Sequence, residues 1–398
     1  MKHFRFAFVF ALWTMVLYGA IDAMRSATGP LLQAQTHITY AELGLLFAAN
    51  SIGYLLGSLP SGFVIHQVGL KRTVLFGSVA MGAMLVVVPL AKVYVLLWIG
   101  FFLLGLAMGW LEIGVNAVVP AVAESSRAES SGFNLLHGFY GVGATIFPAV
   151  VIWIATRSGH WSTPYFAVGL LCIATVAATI RYQFPALTAP EPHNANEPKD
   201  HGAMSSPLMY VLLLAIMLYV VAEGGTAAWL PTYLVHADHM SVTRSSWYLT
   251  GFYLIFTFGR LSGPLWVHRL GSYGSITWSS IFSLILFAIA LLDSNGPLLF
   301  VLSGFGFAVT FPTIVHIASQ AFDKETGRVL GLLFTCAGIG GIFVSWIIGI
   351  VATATSIEVA FWLIPVSLML VLIATSVAKG LEKTRHRMAS ATVPPANS

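Results

Sequence analysis

Charge is what this sequence most lacks. Only 9% of its 398 residues are Asp, Glu, Lys or Arg, against about 25% in soluble domains, while 57% are hydrophobic. A chain so poor in charge cannot coat a water-facing surface, so a lipid bilayer is the expected solvent for most of it. Cysteine is almost as scarce. Cys172 and Cys336 both sit in apolar stretches, which excludes a disulfide framework and any cysteine metal spacing. They read as small packing residues. No P-loop, HExxH, GxSxG or nucleotide-binding glycine loop occurs. An enzyme, a cofactor or metal site and ATP-driven pumping are therefore not expected. The net charge of +4 brings no basic patch with interleaved aromatics, so nucleic acid is not an expected partner.

What the sequence does have is apolar runs of helix length. They fall at 4–31, 41–65, 73–90, 93–120, 133–156, 163–182, 207–234, 245–267, 272–292, 296–320, 328–352 and 357–379. Each is close to the ~20 residues that cross a hydrocarbon core. The first run follows a basic start and mimics a signal peptide, but the charged "DAMRSATGPLL" after it lacks a clear cleavage site, so a retained helix is expected.

Between the sixth and seventh runs, residues 183–206 are rich in proline and polar residues and read as a linker. The expected organisation is an all-α membrane protein of twelve transmembrane helices in two six-helix halves. The halves are 1–182 and 207–379, with a cytoplasmic linker at 183–206 and a cytoplasmic tail at 380–398. An internal echo supports the duplication. "GSLPSGFVIHQVGLKR" (57–72) is loosely matched by "GRLSGPLWVHRLGSYG" (259–274), with the spacing slipping by one residue.

With the N-terminus inside, fifteen Lys and Arg fall on the inner side, Arg260 counted among them. Arg25, Lys92, Arg157 and Arg244 fall outside. This positive-inside bias predicts that both termini are cytoplasmic.

Twelve spans in two halves, with the turn "GFVIHQVGLKR" after the second, resemble the major facilitator superfamily. Gly62, Gly69, Lys71 and Arg72 stand where that family's gating signature has them, and His66 stands where it usually has aspartate. "LEIGVN", "LHGFYGVGA", "YVVAEGGTAAWLPTYL" and "GFGFAVTFPT" resemble the fucose–galactose–glucose:proton symporter group. The resemblance implies sugar uptake driven by a proton, with an acid in the fourth span as carrier and an acid in the first span contributing to the cavity.

Charges at membrane depth cost about 2.5–3.5 kcal/mol on insertion scales and normally face a cavity or a partner. In the fourth span Gly105, Gly109, Glu112 and Asn116 fall within about 60° of one another on a helix. This stripe suits a proton or substrate site, or an interhelical hydrogen bond made by a neutral Glu112. The GxxxG spacing allows close helix approach or leaves room for a ligand.

The first span carries Tyr18, Asp22, Arg25 and Gly29 on one stripe, and Asp22 and Arg25, three apart, are placed to pair. In the seventh span Glu223 lies with Tyr219, Thr226 and Tyr233, and Trp229 about 80° away. A carboxylate accepts bonds from sugar hydroxyls and an aromatic face stacks on a pyranose; core packing with a buried hydrogen bond is the other reading. Asn134 and His137 in the fifth span, His316 and Gln320 in the tenth, and Asn50 in the second are further substrate candidates.

The expected function is a secondary active transporter: proton-coupled symport of a monosaccharide or similar small polar solute by alternating access. Such a protein would work as a monomer in a bacterial inner membrane. Its partners would be the solute, the proton and the bilayer. A proton-linked exporter of the same fold, and a non-transporting receptor or scaffold, are the alternatives.

Overall fold

The computed structural model describes the backbone of residues 5–123, 125–185, 202–293, 296–322 and 325–391. These residues are built from helices and contain no strand. In order, the helices are α1 (Arg5–Thr36), α2 (Tyr40–Val68), α3 (Leu70–Val87, extended by a 3-10 turn Val88–Leu90), α4 (Tyr94–Val122), α5 (Ser126–Ser158), α6 (Thr163–Thr179), the single turn α7 (Gly202–Ser205) and α8 (Pro207–His236). There follow α9 (Val242–Leu270), α10 (Ser272–Leu292), α11 (Pro297–Phe307), α12 (Thr310–Ala321), α13 (Thr326–Ala354), the short α14 (Ile357–Phe361) and α15 (Leu363–Ala391).

Ten spans, counting α11 with α12 and α14 with α15, are long and apolar enough to cross a bilayer. Two further helices complete the expected twelve. α6 is apolar but short, and α9 is 29 residues long but diluted by Arg244, Arg260, His268 and Arg269. Most of the expected linker, 186–201, lies outside the described residues. The stretch expected as a tail is helical as far as Ala391.

The helix ends follow local chemistry. Thr39 caps α2 through a reciprocal box, its Oγ1 accepting from Glu42 N at 3.2 Å while its own N–H donates to Glu42 Oε2 at 2.8 Å. Ser125 caps α5 by accepting from Ala128 N.

Gly69 ends α2 at φ +87° and Gly271 ends α9 at φ +71°, a region in which a side chain is strained. The two turns repeat each other bond for bond. Gly69 N–H donates to Ile65 O and Thr73 N–H and hydroxyl return to Gly69 O; Gly271 N–H donates to Val267 O and Ser275 N–H and hydroxyl return to Gly271 O. Geometry therefore aligns His66 with His268 and Gly69 with Gly271 without a slip.

Helices cluster into two compact units. The first comprises Met1–Ala195, Gly225–Leu254 and Ile342–Phe361; the second comprises Asn196–Gly224, Ile255–Gly341 and Trp362–Ser398. In the first unit, α2 and α4 meet along a glycine seam. Gly53 and Gly57 lie against the Phe102 and Leu106 carbonyls, and Gly105 and Gly109 against the Asn50 and Tyr54 carbonyls, so close that no Cβ fits. Gly19 and Gly143 do the same between α1 and α5, against Tyr140 O and Val16 O. The GxxxG spacing is thus used for close approach, which brings the polar groups of four helices within reach of one another.

Candidate functional site

The first unit gathers its membrane-depth acids into one chain of hydroxyls and carboxylates. Glu112, half-buried on α4, accepts a hydrogen bond from the Tyr18 hydroxyl of α1 at 3.0 Å, and Tyr54 of α2 stands close to it. The Gly109 contact positions Tyr54, because it holds the two backbones together at that residue. Asn116, one turn below, donates its amide to the Glu112 backbone carbonyl at 2.9 Å.

On α1, one turn from Tyr18, Asp22 pairs with Arg25 and accepts from the Tyr140 hydroxyl of α5 at 2.7 Å. The Tyr18 and Tyr140 rings lie 6.1 Å apart, so the two acids are joined through aromatic neighbours. Pairing with Asp22 offsets the cost of Arg25 at this depth. Tyr18 gives Glu112 a donor whether or not it carries a proton, and its partial exposure gives the proton a way in and out.

The second unit holds a separate polar cluster where span ten breaks. Pro312 has no N–H, so the carbonyl four residues earlier, Ala308 O, has no intrahelical donor. Arg260 of α9 supplies one, its Nε donating to Ala308 O at 3.3 Å. Tyr219 of α8 donates to the adjacent Phe307 O at 2.6 Å, and Glu223 stands beside it on the same helix. Arg260 additionally lies over the Phe256 ring, 4.5 Å from its centroid.

Other expected site residues are placed differently. Asn50 is buried and donates to Phe101 O at 3.1 Å, tying α2 to α4. Trp229 has no exposed surface; its ring meets Phe47 edge-on at 5.7 Å. It is closed to stacking by a solute in this arrangement. His316 and Gln320 lie one turn apart, both exposed on α12. His137 is exposed on α5, and the side chain of Asn134 lies outside the described residues.

Gly62 has open space where a Cβ would stand. Lys71 and Arg72 open α3 just after the Gly69 turn. Arg25 and Arg260, which fall within the expected spans 4–31 and 245–267, lie inside α1 and α9. Sequence reasoning passed over Tyr54, Tyr140 and Arg260. Tyr54 and Tyr140 each stand beside glycines of a helix seam, and Pro312 announces the carbonyl that Arg260 takes.

The sequence matches the Major Facilitator Superfamily profile over residues 9–343, and again over 212–394. The chain belongs to that superfamily. It is 25% identical over 359 residues to an uncharacterised MFS-type transporter of Yersinia pestis, covering 87% of this chain and 88% of the relative. It is 21% identical to a TsgA homologue of Erwinia tasmaniensis, covering 81% and 82%.

Among solved structures it is similar to the nucleoside transporter NupG (TM-score 0.76, 14% identity, 93% of this chain and 98% of the other). It is also similar to the E. coli fucose:proton symporter FucP (TM-score 0.63, 19% identity, 94% and 99%). These likenesses show the fold. A multi-pass transporter follows, and an enzyme does not.

Proposed function

We propose that this transporter is a proton-coupled symporter for a small hydroxylated solute of monosaccharide size, working by alternating access, with Glu112 as the proton carrier. The observation that carries this reading is the arrangement of Tyr18 and Tyr54 on Glu112, the one acid of an otherwise apolar α4. An acid held among apolar groups keeps its proton, and one that meets water releases it. Alternating access would present the same carboxyl first to one compartment and then to the other. A potential of 100 mV supplies about 2.3 kcal/mol per net charge moved, enough for a roughly fifty-fold gradient of a neutral solute; for an anionic solute a proton gradient of one pH unit supplies about 1.4 kcal/mol, a roughly tenfold gradient.

In this reading Asp22 tunes the Glu112 end through Tyr18 and Tyr140. Glu223 and Asn116 offer acceptors and donors to solute hydroxyls. His316 and Gln320, exposed on α12, are further contacts. Residues 62–72 form the gating turn, and both termini face the cytoplasm of a bacterial inner membrane, where the protein acts as a monomer. Support comes from the superfamily membership, the FucP likeness in fold, and the two acid clusters.

The direct test is the pH of a weakly buffered suspension of cells expressing the protein, de-energised beforehand. Addition of the transported sugar from a monosaccharide panel alkalinises the medium if a proton enters with it. Uptake of labelled sugar with no alkalinisation contradicts the reading.

A further inference from the structure

Arg260 is a charge without a counter-charge. It stands in the middle of α9, and among the described residues no carboxylate lies within ion-pairing distance of it. Its protein contacts are the Ala308 carbonyl through Nε, the Phe256 ring face and the field it exerts on Tyr219. The terminal guanidinium nitrogens, which make the two-pronged contact with carboxylates, are left over. Arg25 in the first unit is the contrast: it spends its terminal nitrogen on Asp22.

Arg260 is also exposed, and lipid is not what it faces. The lipid-facing strip of α9 is marked by Phe258, Leu261 and Leu265, which are 60%, 71% and 76% exposed. At 100° per residue, Arg260 lies about 130° around the helix from the centre of that strip. It therefore points away from that strip, beside Tyr219 and the break between α11 and α12. An unpaired intramembrane cation turned away from lipid marks a solute path, and its Nε bond and ring contact hold the guanidinium in one orientation before any solute arrives.

We propose that Arg260 binds the anionic group of the transported solute, which is a small hydroxylated carboxylate of sugar-acid type rather than a neutral sugar. The proposal rests on the transport reading above and narrows its solute class. Arg260 takes the carboxylate through its terminal nitrogens; Glu223 meets a hydroxyl on the same solute. Ala308 O and Phe256 position the guanidinium and touch no solute.

The test is thermal stabilisation of the purified full-length protein by matched pairs at equal ionic strength: D-glucuronate with D-glucose, D-galacturonate with D-galactose, and D-gluconate with sorbitol. A ligand that binds only the folded state raises its melting temperature. At least one acid should stabilise the protein where its neutral partner does not. Arg260→Gln should raise the half-saturating concentration of that acid at least about tenfold, the loss of a charge-assisted contact. Arg260→Lys should retain part of the binding.

Stabilisation by neutral sugars alone, equal stabilisation by the acid in Arg260→Gln, or no stabilisation by any acid overturns the proposal. Should Arg260→Gln not fold, the preference of the wild-type protein for acid over neutral partner, with weaker acid binding in Arg260→Lys, decides. Accumulation of a neutral sugar by Arg260→Gln that still depends on Glu112 would leave the transport reading standing and sink this one.

Discussion

Tyr18 on the first helix donates its hydroxyl to Glu112 on the fourth across 3.0 Å. The two residues are 94 positions apart in sequence and meet because glycine seams draw α1 to α5 and α2 to α4. If the bond contributes to stability, the two residues are energetically coupled. Tyr18→Phe and Glu112→Ala should each lower the melting temperature. The double variant should fall short of their sum by an amount equivalent to about 0.5–3 kcal/mol. Strict additivity in melts of the four proteins would show that the contact carries no energy.

The seam itself predicts a contrast between glycines. A Cβ at Gly105 meets the Asn50 carbonyl, while one at Gly62 meets nothing within 4 Å. Gly105→Val should abolish monodisperse protein on size-exclusion chromatography, because backbone cannot yield as a side chain can. Gly62→Ala should leave yield and melting temperature unchanged or slightly raised. Gly69→Ala, at φ +87°, should cost about 1–2 kcal/mol. Equal behaviour of all three would contradict the packing described.

Outside the spans, burial and the neighbouring Glu358 push the Asp238 carboxyl above its ordinary range, with His239 opposing. The folded protein thus holds this proton more tightly than the unfolded chain does. Its contribution to stability is full below the ordinary aspartate value near 3.9 and is lost as pH rises from there through the elevated folded value. Asp238→Asn should flatten that part of the melting-temperature profile. A profile from pH 4 to 7 that is unchanged by the substitution would contradict the assignment.

Topology is open to labelling. The charge asymmetry predicts the 183–206 segment inside and the turn between α5 and α6 outside. A cysteine at Asn194 should react with an impermeant maleimide only in inverted vesicles, and one at exposed His160 in intact cells. The opposite pattern reverses the orientation.

Much of this architecture is legible in the sequence because apolar length and charge scarcity follow from the solvent. The same holds for the Asp22–Arg25 pair, since spacing by three on a helix leaves little choice. Arg260 falls inside the expected span 245–267, but its partner is not legible there, because only the fold brings it to the carbonyl freed by Pro312. The burial of Trp229 was not legible because periodicity gives a residue's angle on its helix but not its neighbour. Phe47 of another helix covers it. Tyr54 and Tyr140 were missed because tertiary contact alone turns a tyrosine among glycines into a partner for an acid.

The central claim is that Glu112 carries the coupled proton. Glu112→Gln keeps the shape and the bond from Tyr18 but cannot titrate. The decisive measurement is solute uptake by proteoliposomes under an imposed proton gradient, beside counterflow exchange in the same vesicles. Glu112→Gln should lose uphill accumulation entirely while exchanging solute at a rate within a few-fold of wild type. Undiminished accumulation by Glu112→Gln, with a proton still entering alongside solute, would contradict the account.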